Sequence, residues 1–255
     1  MTDGQLYNWP AIIYTPEAVN SPATKQKNSV ETLMSPAVVI NQRARSAEQK
    51  ALRRLAVIEA AETYFLEVGY EAFSMAQLAK KTGVAKGTLY LYFKTREELF
   101  LTLYEQSLIR WSQVFIGALS DAMTSKAYAQ ALYHSALVDG TFLPLLIRLE
   151  HVIEHNVAIP RLIESKRVFI LQVEAIAEPT STSLKLSKAQ AREVVKTMGV
   201  LLIGATGADQ GPPLDNEELP EDVRDLIASF SSEPIFVKNA VRIIDGIRAE
   251  AASDL

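Results

Sequence analysis

The chain contains no cysteine. That absence excludes a disulfide framework and any thiolate metal site, and is compatible with a reducing compartment. No run approaches the roughly 18 apolar residues that a spanning helix needs, so no membrane segment is expected. The first ten residues, MTDGQLYNWP, lack the basic start and apolar stretch of a signal peptide. A soluble, cytoplasmic protein is therefore expected. No segment alternates polar and apolar residues convincingly, so strands are not expected either. An excess of positive charge is also lacking: 26 Lys and Arg stand against 30 Asp and Glu, a net charge of −4. This excludes a surface that is basic all over, but leaves room for one small basic face on an acidic protein. What is present is ample apolar content, 48% hydrophobic over 255 residues, enough for one large core or two modest ones.

Residues 1–45 differ from the rest. Pro10, Pro16, Pro22 and Pro36 interrupt them, no helical period survives, and they are expected to form a flexible arm. From about Glu48 the pattern is helical almost to the end. Leu55, Ile58, Ala61, Phe65 and Val68 recur every three or four residues, one buried helix face, and Gly69 stands where a helix often ends with positive φ. Ser74-Met-Ala-Gln77 predicts a capping box, the hydroxyl taking the third amide and the glutamine reaching back. A short helix to about Lys81, a break at Thr82-Gly83-Val84 and a second short helix from about Ala85 to Phe93 follow. Thr95-Arg-Glu-Glu98 is a second capping box launching a long helix through Leu99, Leu103, Leu108 and Trp111, expected to bridge two domains. Further helices are expected near 126–138, 141–156, 160–177, 187–204, 221–230 and 234–251. Pro160, Pro179, Pro220 and Pro234 stand at or near the breaks, and Gly204–Pro220 is expected to be a long loop.

Two short helices joined by a glycine turn have the geometry of a helix-turn-helix, whose second helix enters the major groove of DNA. Between Ala72 and Arg96 stand Lys80, Lys81, Lys86, Lys94 and Arg96, and no acidic residue. In an acidic chain this is a local cationic window matched to phosphate. In the second helix Val84, Leu89 and Phe93 can pack inward, leaving Lys86, Gly87, Thr88, Tyr90, Leu91 and Tyr92 outward. Tyrosine hydroxyls can hold phosphates and set register, while Lys86 and Thr88 can reach base edges. Gly87 weakens an exposed helix by about 1 kcal/mol relative to alanine, a feature that close approach of a nucleic-acid backbone would explain.

From about Arg54 to Tyr104 the chain resembles the DNA-binding domain of the TetR family of bacterial transcriptional regulators, with FSMAQLAKKTGVAKGTLYLYFKTREELF (Phe73–Phe100) as the matching core. The resemblance implies an all-α fold: an N-terminal three-helix helix-turn-helix domain (46–95) plus a C-terminal helical ligand-binding and dimerisation domain (96–255). By position it implies backbone contacts from Ser74, Lys86, Tyr90, Tyr92 and Lys94, and base contacts near Lys86, Gly87, Thr88 and Leu91. Two departures stand out: many members have serine where Ala85 stands and histidine where Tyr92 stands. The implied function is a repressor, not an enzyme, that binds a palindromic operator in double-stranded DNA as a homodimer. A small-molecule effector releases it, and no cofactor or metal is implied.

Other signals are weaker. His151-Val-Ile-Glu154-His155 spells the inverted zinc-peptidase motif H-x-x-E-H. A helical metalloenzyme is thus the alternative, against a polar, partly buried helix face in which Arg148 and Glu150 pair. A helix-turn-helix protein with no small-molecule ligand is a third reading. Trp111, Phe115, Phe142, Arg148, His151 and His155 are candidate effector-binding residues, since bundles seat ligands between helices. Tyr128, Tyr133 and Phe169 could join them, although each aromatic is individually better explained as core. Gly204-Ala-Thr-Gly207 is read as a helix end, not a phosphate cradle. Arg43, Arg45, Lys50, Arg53 and Arg54 could carry the arm into a minor groove, against the alternative of a solvated tail. The expected dimer seam, implied by the resemblance, combines Val194, Val195, Met198, Leu201 and Leu202 with Phe236, Val237, Ala240, Ile243, Ile244 and Ile247, against the alternative that both stripes face the protomer's own core.

Overall fold

The computed structural model describes residues 36–207 and 219–253, with side chains for 48–207 and 219–250. The chain divides into two compact units, residues 1–57 and 58–255. In the first, the described residues belong to the opening part of one helix; the second carries all the other elements. Every regular element among the described residues is helical: α1 (Pro36–Ala72), α2 (Met75–Thr82), α3 (Lys86–Tyr92), α4 (Arg96–Ala118), α5 (Ser125–Val138), α6 (Phe142–Arg148), α7 (Ile159–Leu184), α8 (Lys188–Gly207), α9 (Glu221–Ser229) and α10 (Ser232–Ser253). Among the described residues no helix is long and apolar enough to cross a membrane.

Within the second unit the helices surround two sets of apolar side chains. The stripe expected from spacing is present: Ile58, Ala61 and Phe65 of α1 are buried. They join a ring cluster in which Phe100 lies 5.6 Å from Phe65, 4.8 Å from Tyr70 and 4.9 Å from Phe73, centroid to centroid. Leu78 of α2, Leu89 of α3 and Phe93 complete this small core. Beyond it, α4 packs on α5 and α7, α7 on α8, and α10 on both α5 and α8. Phe115, Tyr128, Met198, Phe236 and Ile244 are fully buried there. Burying each such side chain contributes about 1.5–3 kcal/mol.

Several boundaries differ from those expected. The first helix begins at Pro36, not near Glu48, so residues 36–45 are helical where an arm was expected. Proline suits a first helical position, where its missing N–H has no partner to lose. Residues 1–35 lie outside the described residues, as do the side chains of Arg43 and Arg45. Pro179 does not end α7; it sits inside a helix that continues to Leu184 and stops where Lys185 turns left-handed at φ 55°. Proline removes one backbone bond, and burial of Ile176, Ala177, Thr180 and Leu184 around it holds the helix together. The expected helix over 141–156 is regular only to Arg148. Leu149–Ile153 forms a wider π turn and Glu154–Asn156 a tighter 3₁₀ turn. Helix α8 reaches Gly207, so residues 204–207, assigned to a loop, are its last turn. Residues 208–218 of that loop lie outside the described residues.

Gly69 interrupts α1 with φ 72° and ψ −175°, a region of backbone space open essentially only to glycine. No neighbouring atom would meet an added Cβ there, so strain in the backbone alone sets the effect of substitution. Gly69→Ala should therefore destabilise the protein by about 1–3 kcal/mol, read as a lower urea midpoint at unchanged slope. An unaltered midpoint would show that the chain can turn from α1 to α2 without this conformation.

Candidate nucleic-acid interface

The turn between α2 and α3 is built by local chemistry. Ser74 caps α2, its hydroxyl oxygen accepting from the Ala76 amide at 3.3 Å. The expected box is thus half-formed, with the bond one residue earlier than predicted. Gly83, left-handed at φ 65°, ends α2, and the Val84 amide donates back to the Ala79 carbonyl at 3.1 Å. This Schellman-type closure aims α3 across α2. Ala85 precedes α3 as its N-cap without a side-chain cap bond, as the missing serine implies. Thr95 caps α4 by accepting from the Glu98 amide at 3.0 Å, while the Glu98 carboxylate accepts from the Lys94 amide at 2.7 Å. The second box therefore reaches back one residue further than expected and pins the segment that follows α3.

With α3 so placed, its faces separate. Leu89 and Phe93 are buried and Val84 half-buried. Lys86, Gly87, Tyr90, Leu91 and Lys94 are exposed, and Ser74, Thr88 and Tyr92 half-buried. Leu91 is 78% exposed, which no intramolecular packing accounts for. An added Cβ at Gly87 would meet no atom of the protein, so packing does not require glycine there. The Lys86 ammonium lies 6.0 Å from the Tyr90 ring centre.

The cations of the window divide in two. Lys81 pairs with Glu67 at 2.6 Å and lies over the Tyr64 ring. Arg96 pairs with Glu97 at 3.1 Å and lies over Tyr70 and Phe100. Lys80, Lys86 and Lys94 are exposed and have no ion pair among the described residues. Three unneutralised lysines beside outward tyrosines form a surface suited to phosphate.

The candidate effector residues separate into different environments. Trp111, Phe115 and Phe142 stack tightly, with Trp111 at 4.7 Å from Phe142 and 5.8 Å from Phe115. The Trp111 indole donates to the Ser135 hydroxyl at 3.1 Å. Tyr104 extends the stack over Phe142; burial holds its phenol above the ordinary value, and its hydroxyl has no hydrogen-bond partner among the described residues. Tyr128 is raised likewise by burial, opposed by its 2.9 Å hydrogen bond to Thr180. Tyr133 packs on Phe236, whereas Phe169 is 40% exposed on α7. Arg148 does not pair with Glu150. It lies over the Tyr70 ring at 5.0 Å and meets Glu71 at 3.5 Å. His151 and His155 are exposed on the π and 3₁₀ turns rather than on one face of a regular helix, and Glu154 pairs with Lys166 at 2.6 Å. Among the described residues no three His, Asp or Glu side chains cluster to hold a metal.

Two junctions between the helix-turn-helix and the following helices carried no local signal in the sequence. Tyr70 lies between Arg96 and Arg148; burial raises its phenol pKa, with Arg96 opposing. Arg110 of α4 bonds Glu62 of α1 and, at 2.9 Å, Asp139, while Thr141 donates to Glu62 at 3.3 Å. These residues lie 29 to 79 positions apart in the chain, beyond the reach of any periodicity.

Comparison with known proteins places these features in a family. Residues 57–103 match the family described as bacterial regulatory proteins, tetR family, and residues 105–249 match the tetracyclin repressor-like C-terminal domain. The fatty acid metabolism regulator protein of Bacillus subtilis (strain 168) is 31% identical over 120 residues, 47% of this chain and 56% of that protein. The HTH-type transcriptional repressor AcnR of Corynebacterium diphtheriae is 30% identical over 69 residues, 27% of this chain and 36% of that protein. The chain thus spans about half or less of the length of these curated relatives. The crystal structure of RolR in complex with resorcinol shares the fold, with a TM-score of 0.50 at 17% identity, covering 77% of this chain and 89% of that one. With both the helix-turn-helix and the C-terminal helices matched, the chain belongs to the TetR family of bacterial regulatory proteins.

Proposed function

We propose that the chain is a sequence-specific DNA-binding transcriptional regulator: a homodimeric repressor released from a palindromic operator by a small-molecule effector. The observation that carries this reading is the outward face of α3. Lys86, Gly87, Tyr90 and Leu91 are exposed on a short helix whose other face is anchored by Leu89. Neither packing nor ion pairing among the described residues accounts for them. Lys86 and Thr88 would read base edges, Tyr90, Tyr92, Lys94 and Ser74 would hold phosphates, and Gly87 and Leu91 would meet the groove closely. Family membership and the names of the two relatives, a metabolism regulator and a repressor, support it. RolR, which holds resorcinol, supports an effector of small-molecule size.

A second copy follows from the geometry of a palindrome, whose half-sites lie about 34 Å apart or a multiple of it. The seam needs revision, however. Val194, Met198 and Leu202 of α8 and Phe236, Ala240, Ile244 and Ile247 of α10 are buried within the protomer. Only Val195, Leu201, Val237 and Ile243 of the expected residues remain half-exposed, next to Val200, which is 73% exposed. The outer faces of α8 and α10 are thus the surfaces left for a partner.

Lys86→Ala should lower operator affinity and relax base preference at one half-site position. Lys94→Ala should weaken all sequences similarly and reduce the salt dependence by about one counterion. Titrations against randomised and selected duplexes read both, and unchanged affinity in both folded variants would refute the interface. Sedimentation from nanomolar to tens of micromolar protein, without DNA, should show a dimer. A monomer persisting to the upper limit would mean that pairing happens only on the operator.

A further inference from the structure

A groove of about 450 Å³ opens where α1, α4, α5 and the α5–α6 connection meet. Leu66, Trp111, Val114 and Val138 supply its apolar lining, and Glu62, Arg110 and Asp139 are the charged residues lining it. The size is within the range of small-molecule sites. Val138, Leu66 and Val114 are 70%, 58% and 45% exposed, so the groove presents apolar surface that the other described residues do not cover.

The charges decide what could cover it. Two carboxylates share one guanidinium, leaving the cluster one negative charge in excess. Asp139 is well satisfied: one oxygen takes the Arg110 guanidinium and the other accepts from the Thr141 amide at 2.8 Å. Glu62 is not. Its Oε1 receives both Arg110 and Thr141, and among the described residues nothing donates to its Oε2. The Glu62 side chain is only 24% exposed, so that oxygen is partly withdrawn from water beside an apolar wall. An anion would meet both carboxylates there, whereas a cation would meet a free acceptor.

We propose that this groove binds an organic cation, an ammonium or amidinium group on a small apolar body. The charged end would sit on Glu62 Oε2 and the body against Leu66, Val114, Val138 and the edge of Trp111. The ligand then shares the carboxylate by which Arg110 ties α1 to α4. That such binding acts on DNA rests on the regulatory function proposed above, since α1 leads directly into the helix-turn-helix. The binding itself does not depend on it.

The test is calorimetric titration of the full-length protein, without DNA, with 4-phenylbutylamine and with 4-phenylbutanoate, which share one apolar body and differ in charge. The amine should bind at least tenfold more tightly. Glu62→Gln should remove most of that difference while leaving the weak carboxylate binding unchanged or improved. Because Glu62 also joins two helices, the exposed Val138 provides a variant that cannot disturb packing: Val138→Glu should strengthen amine binding several-fold and Val138→Lys should weaken it. Equal affinity for the two ligands, or amine binding indifferent to both Glu62→Gln and the Val138 pair, would overturn the site. A protein that prefers the amine as described yet binds no DNA would overturn the regulatory reading and leave the site intact. One that binds DNA but shows no charge preference would overturn only the site.

Discussion

Helix α4 has to serve two cores at once. Its first turn places Phe100 at the centre of the ring cluster that holds α1, α2 and α3 together. Three turns on, Trp111 stacks with both Phe115 and Phe142 in the C-terminal helices. Because α4 is continuous from Arg96 to Ala118, one rigid element carries side chains of both cores, and close packing ties the position of Phe100 to that of the helix as a whole. The orientation of α3 therefore depends on packing some distance from the turn that defines it.

Around this shared helix the polar contacts are arranged as braces. Arg96 and Arg148 hold Tyr70 from two elements, Thr95 donates to the Asn156 carbonyl at 3.2 Å, and Arg110 joins Glu62 to Asp139. The Thr95–Asn156 bond is exposed and the Arg110 ion pairs are partly exposed, so each contributes modestly. Their importance is geometric: they connect the helix-turn-helix to α4, α6 and the turns after it. The groove beside Glu62 is the place where such a brace borders open apolar surface.

Charge is handled differently on the two sides of the helix-turn-helix. Lys81 and Arg96 lie over aromatic rings and beside carboxylates, supporting the fold, whereas Lys80, Lys86 and Lys94 face solvent without partners among the described residues. A net acidic chain thereby carries a cationic patch on the helix-turn-helix, suited to a polyanion.

Local chemistry was legible in the residues themselves. Ser74, Gly83 and Thr95 act within three or four positions, and the apolar spacing of Ile58, Ala61 and Phe65 needs only a helical period. These features determined the all-helical class, the helix-turn-helix and the outward face of α3. The passage of α7 through Pro179 depends on buried neighbours that offset the lost backbone bond, and neither the start of α1 at Pro36 nor the π turn at Leu149 is signalled by periodicity. Which apolar residues of α8 and α10 turn inward was also undecided, because both helices carry more apolar surface than one face holds. The junctions at Tyr70 and Glu62 join residues distant in the chain, whose proximity exists only once the helices have packed. Sequence thus determined what each segment is, through interactions between near neighbours; tertiary structure decided what each segment touches, because those contacts close loops of many residues that no local preference encodes.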